Sequence, residues 1–204
     1  MRTALLAILL ASFAWAADDA RVIYRKSFPG SSPAYVEITI EKSGASVYKE
    51  DPKDEDPLTF ELTAPDVAQI WGLADKLDDF GHKLESPLKV ANMGMKTFRY
   101  EGPAGAKEVK FNYSEDPDAR TLTDLFEQIA ATERAFITLD TAVRFDKLGA
   151  QEALLRVEAL RDQKRLMPQT QFLPLLDRVA NNESFLHMAR ERAANLAEAI
   201  RSTK

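Results

Sequence analysis

The sequence predicts an α+β fold: a six-stranded antiparallel sheet with helices on one face, followed by an all-helical C-terminal part. Three observations carry this. Between Val22 and Tyr113 most apolar residues alternate with polar ones in short runs, separated by Pro- and Gly-containing breaks, which is the period of half-buried strands. One helical stripe interrupts those runs, at Val67, Ile70, Trp71, Ala74 and Leu77. From Thr121 onward the apolar repeats have helical spacing throughout, so strands and helices are segregated along the chain rather than alternating.

The chain starts with a different signal. Met1-Arg2 is positive, Thr3 to Trp15 is an apolar run, and Ala14-Trp15-Ala16 is a small-x-small cleavage site before Asp18-Asp19. This is the pattern of a secretory signal peptide over residues 1–16. A membrane span needs about 20 apolar residues and no such run follows, so the expected product is an exported chain with no stable membrane anchor after cleavage. No cysteine occurs in the 204 residues. The fold must therefore rely on its core without disulfides, and the acceptor for a bacterial lipid anchor is missing. A periplasmic or secreted bacterial protein fits these features. The formal net charge is −5, and losing Arg2 with the leader makes the balance more acidic still. Nucleic acid is not an expected partner.

The elements follow in order. Val22, Tyr24 and Phe28 mark a first strand ended by Pro29-Gly30; Val36, Ile38 and Ile40 mark a second, with Glu37, Thr39 and Glu41 on its other side. Lys42-Ser43-Gly44 turns the chain into a return strand over Ala45 to Lys49. After an acidic loop, Leu58, Phe60 and Leu62 make a fourth strand, and one wet face throughout suggests an antiparallel meander. The helix at Val67 to Phe80 is expected to stop at Gly81. His82 to Met95 lacks periodicity and reads as a loop crossing to the other edge of the sheet. Phe98 and Tyr100, then Val109, Phe111 and Tyr113, flank Gly102-Pro103-Ala104-Gly105 as a second hairpin.

The organising element comes next. Leu122, Leu125, Phe126 and Ile129 fall at i, i+3, i+4 and i+7, and Phe136, Leu139 and Val143 resume the stripe one turn past Glu133. Its start lies either at Asp116-Pro117, an N-cap with proline at N1, or at Thr121 with Asp124 as a capping pair. From Thr121 to Lys147 such a helix is roughly 40 Å long at 1.5 Å per residue. That is long enough to cover the sheet with its first half and meet later helices with its second. The expected organisation is a signal peptide over 1–16, a sheet with one helix over 17–116, a bridging helix over 117–148 and a helical part over 149–204.

In that last part, Ala153, Leu154, Val157, Leu160 and Leu166 form a helical stripe whose other side carries Arg156, Arg161, Lys164 and Arg165. Two shorter helices follow, on Leu173-Pro174-Leu175-Leu176 and on Arg190 with Ala193-Ala194. This pair resembles a HEAT-type repeat over residues 171–201. Leu196 arrives one position early for the register set by Arg190, and Asn181-Asn182 stand where acidic turn residues are usual. The resemblance implies a helical hairpin that cannot bury its faces alone and needs neighbouring helices.

Candidate chemistry is sparse. His82 and His187 have no second imidazole at ligand spacing, so a multi-histidine zinc site is not available. Ser46-Val47-Tyr48-Lys49 and Ser86-Pro87-Leu88-Lys89 spell S-x-x-K, but the first lies in a strand, where i and i+3 face opposite ways, and proline interrupts the second. Met93-Gly94-Met95 places two thioethers at i and i+2, a soft pair that would suit Cu(I) if further ligands joined it. No Gly-rich phosphate loop, G-x-S-x-G or H-E-x-x-H occurs. With no acid/base or nucleophile set, the sequence reads as a non-catalytic binding or protein-interaction module of the cell envelope with no cofactor. Its candidate contact residues are Arg156, Arg161 and Arg165, with Trp71 and His82. The alternative is a small-ligand or copper binder, with Met93 and Met95 as the metal candidates, or a hydrolase with an unrecognised site.

Overall fold

The computed structural model describes residues 20–203, so the signal-peptide segment 1–16 lies outside the described residues. β1 (Arg21–Ser27) runs through the middle of a six-stranded sheet. On one side β2 (Tyr35–Glu41), β3 (Ala45–Lys49) and β4 (Leu58–Glu61) form the meander. On the other side β5 (Met95–Gly102) and β6 (Gly105–Phe111) form the second hairpin, giving the order β4-β3-β2-β1-β5-β6 with every pair antiparallel. The loop from His82 carries the chain to β1's free edge, as its lack of periodicity suggests.

Alternation sorts the strand residues. Val22 and Tyr24 of β1, Ile38 and Ile40 of β2, Tyr48 of β3, Phe60 of β4 and Phe98 of β5 join one buried cluster. Two helices cover that face. α1 (Ala64–Lys76) contributes Val67, Ile70, Leu73 and Ala74, and α2 (Pro117–Phe145) contributes Ala119 to Ala130. Tyr24 stacks on Phe126 with ring centres 4.8 Å apart, joining the central strand to the long helix. The start of α2 is decided by Asp116, whose carboxylate accepts from the N–H groups of Asp118 and Ala119 at 2.8 and 3.0 Å.

The same helix enters a second core. Ala135, Leu139, Ala142 and Val143 pack with Leu154 and Val157 of α3 (Ala150–Asp162), with Leu176 and Val179 of α4 (Leu173–Ala180), and with Ala193, Leu196 and Ile200 of α5 (His187–Ser202). Between the two cores α2 carries a polar seam, Thr132 and Glu133, both fully buried. The segment after α3 closes it: Thr132 Oγ1 accepts from Met167 N at 2.9 Å, and Glu133 Oε1 accepts from Gln171 Nε2 at 2.8 Å.

Several element ends differ from expectation. α1 stops at Lys76 rather than near Gly81, whose φ is −78°; the residues in the left-handed region are Asp78, Asp79 and Phe80. Phe80 thereby turns into the core, where it lies 5.1 Å from Phe98. α2 ends at Phe145, three residues short of Leu148, where the Asp146 carboxylate accepts from Gly149 N and opens the turn to α3. α3 ends at Asp162, and Lys164 takes φ 58°. The basic stripe is therefore broken before Arg165.

Candidate functional site

The residues singled out by sequence do not assemble. Arg165, beyond the end of α3, pairs with Asp124 of α2 at 3.0 Å. It ties the α3–α4 connection to the half of α2 that covers the sheet. Arg161 reaches Asp162 at 3.5 Å while its Nε is buried without a partner. Trp71 lies on α1, edge-on to Tyr100 at 6.2 Å and with the Lys42 ammonium 5.3 Å from its ring centre; its Nε1 is buried and unpartnered. His82 is exposed in the loop after α1. Arg156 is exposed as well and makes no ion pair among the described residues.

Met93 and Met95 do not share a side. Gly94 between them has φ 89°, so the segment is not extended there. Met93 lines a cleft on the covered face of the sheet with Lys96 and Phe111, whereas Met95 precedes the inward Lys96 on β5 and so belongs to the open face. The paired geometry expected for a soft metal is not formed. Ser46 and Lys49 likewise diverge: the Ser46 hydroxyl is buried and donates to Gly44 O, while Lys49 stands on the open side opposite Glu37. Among the described residues, no three His, Asp or Glu side chains gather as metal ligands.

The open face of the sheet is saturated by its own charges. Arg25 donates to Glu37 at 2.6 Å and lies 3.6 Å from Glu108; Arg99 meets Glu101 at 2.7 Å and Glu108 at 3.4 Å; Arg21 also binds Glu101. Burial pushes the Glu37 carboxyl up, but hydrogen bonds from Arg25 and Tyr35 outweigh it and hold its pKa below the ordinary value. Tyr35 is pushed up to about 12 by burial and by its hydrogen bond to Glu37. Ile23, on this face by its register, is only 5% exposed beneath those stems. Across the β1, β2, β5 and β6 part of this face the arginines and glutamates are paired with one another.

The far end of the helical part is different. The α2–α3 turn carries Phe145, 83% exposed, and Leu148, 73% exposed; the start of α5 carries Leu186 and Met188, 48% and 63% exposed. The two turns are neighbours, since the Lys147 ammonium stands 5.9 Å from the ring centre of Phe185. Four large apolar side chains thus project from one end of a four-helix cluster. Beside them runs a groove of about 440 Å³ between α2 and α3, lined by Ile137, Ala142, Glu152 and Arg156. Leu186 stands at the N-cap of α5, one residue before the helix starts. For Phe145 a signal existed: six residues past Leu139 it lies well off the buried stripe of α2.

One buried group is electrostatically strained. Glu133 has no cation beside it, and burial raises its pKa to about 8 against the partial opposition of the Gln171 hydrogen bond. Its Oε2 has no partner. The carboxyl is enclosed on α2 between the two cores. Comparison of the chain with protein-family models, with curated proteins and with solved structures gives no match.

Proposed function

We propose that this chain is a non-catalytic docking module of the bacterial cell envelope that holds another envelope protein by the apolar end of its helical part. The observation that carries the reading is the group Phe145, Leu148, Leu186 and Met188, all largely exposed on two adjacent turns. Large exposed apolar side chains gathered in one place cost solubility and are typical of surfaces that become covered. Arg156 and Lys147 flank the group with Asp146 and Glu152 beside them, so the complementary surface is an apolar segment with a rim of mixed charge. The resemblance of residues 171–201 to a HEAT-type hairpin fits this role, because such hairpins serve as recognition surfaces when stacked with neighbours. The N-terminal apolar run and A-x-A site support export, and amino-terminal sequencing of the mature protein tests it: a chain beginning at Ala17 agrees, and one retaining Met1 does not.

The docking surface is tested by site-specific photo-crosslinking in cells. A probe at Phe145 or Leu148 should give one discrete adduct with a second protein, lost when Leu186 and Met188 are both changed to Ser. The same probe at Asp54, in the acidic loop, should give none. Adducts of identical pattern from all three positions, or an adduct only with a second copy of this chain, would overturn the reading.

A further inference from the structure

At the opposite side of the molecule, where β1, β5 and β6 run side by side under the start of α2, the covered face of the sheet carries two lysines directly across from each other. The register pairs Lys26 with Lys96, and Lys96 with Phe111. Like charges in a cross-strand pair repel, and on the covered side of a sheet water screens them less. The protein answers this only in part. Lys96, 7% exposed, gives its three N–H donors to the carbonyls of Met93, Gly94 and Asn112 at 3.4, 3.1 and 2.9 Å. Lys26 donates to Glu127 Oε1 at 2.7 Å, an oxygen that also accepts from the Tyr24 hydroxyl at 2.8 Å. One carboxylate oxygen therefore serves a cation and a phenol.

Above this row is an open cleft of about 340 Å³. Its charged lining is Lys26, Lys96 and Arg120 against Asp124 and Glu127; Asp124 is already paired with Arg165, and Glu85, which accepts from Asn112 N, acts on Lys96 from beside the cleft. The local excess is positive in a chain whose overall charge is negative. Arg120 has no side-chain partner among the described residues, Lys26 keeps two N–H donors beyond its bond to Glu127, and the Tyr113 hydroxyl is unpartnered as well. The rest of the lining has Phe111 as its floor and Met93 at its rim, with the Tyr113 ring and the polar Asn112, Ser114 and Thr123 between them.

We infer that this cleft binds a small organic carboxylate with an apolar body, its carboxylate held by Arg120 and Lys26 over the field of Lys96 and its body against Phe111 and Met93. A single negative charge matches the excess that Glu127 and Glu85 leave, and a guanidinium with free forked donors suits a carboxylate. The apolar surfaces of Phe111, Met93 and Tyr113 distinguish such a ligand from an inorganic anion, and the volume accommodates about ten non-hydrogen atoms with room for water. The inference is independent of the docking surface, which lies at the other end of α2.

Amide-resolved NMR titration of the protein with 3-phenylpropanoate tests it, with 3-phenylpropanamide and inorganic phosphate as comparisons. The carboxylate should shift the backbone signals of Lys26, Phe111 to Ser114 and Arg120 saturably. Arg120→Ala should weaken binding about tenfold, the size expected for a lost charge-assisted hydrogen bond. Since Arg120 is exposed and partnerless, that variant keeps its fold. Absence of saturable shifts at the cleft, equal affinity for the amide, equal affinity for phosphate, or an unchanged affinity in Arg120→Ala would each overturn the inference.

Discussion

Replacing Glu133 by Gln should make the protein more stable at neutral and alkaline pH, and by an amount that grows with pH. Burial raises the Glu133 pKa from 4.5 to about 8. The folded state therefore holds a proton that the unfolded chain releases once pH passes 4.5. Stability is complete below the unfolded value and falls as pH rises toward the folded one, levelling off above it. At 1.36 kcal/mol per unit, the loss is about 3 kcal/mol at pH 7 and on the order of 4 to 5 kcal/mol above pH 8. Gln keeps the volume, keeps a carbonyl for the Gln171 hydrogen bond and cannot ionise, so this loss disappears while the neutral-state contacts are retained. Urea unfolding of both proteins at pH 5, 7 and 8.5 measures the effect. With a slope of about 2 kcal/mol per molar urea, the midpoints should differ by about 0.4 M at pH 5 and by about 1.5 M at pH 7. Subtracting one protein from the other cancels the titration of all other groups. A difference that stays constant across this range, or one that shrinks as pH rises, would refute the account of Glu133 as an unpaired buried carboxyl.

Other substitutions test the remaining supports. Asp116→Ala removes the cap of α2 and should cost about 1 kcal/mol in urea unfolding, with little change in Asp116→Asn. Thr132→Val leaves Met167 N–H without its acceptor at the seam and should cost about 1 to 3 kcal/mol despite the similar shape. Phe126→Ala, which empties the place stacked on Tyr24, should cost about 3 to 5 kcal/mol, whereas Phe145→Ala at the exposed end should stay within about 0.5 kcal/mol. Because one continuous helix enters both cores, Trp71 fluorescence and helical circular dichroism should report the same urea midpoint. Two separated midpoints would show that α2 does not couple them.

Much of the fold was legible in the chain, for reasons that stay local. Val36, Ile38 and Ile40 alternate because successive strand residues point to opposite faces, and the buried side of β2 is read directly from that spacing. Leu122, Leu125, Phe126 and Ile129 repeat at helical intervals, and all four enter the sheet core. The first missteps come at element ends, as at Gly81, where Asp78 to Phe80 take the turn instead. There the outcome is set by what Phe80 gains in the core rather than by which residue turns most easily. The candidate surfaces were hardly legible. Arg156, Arg161 and Arg165 look equivalent along the chain, yet Arg165 meets Asp124, which is 41 residues away.

By itself the sequence determined the antiparallel sheet, its segregation from the helices and the long helix between them, because backbone sterics translate residue spacing into facing sides without help from distant parts. Only the tertiary structure decided that Glu133, a gap in the α2 stripe, is enclosed by the 165–171 segment, that two lysines of different strands stand opposite each other, and that Phe145 and Leu186 share one end of the molecule. Each of these depends on distances between groups remote in the chain, and no local preference encodes such distances.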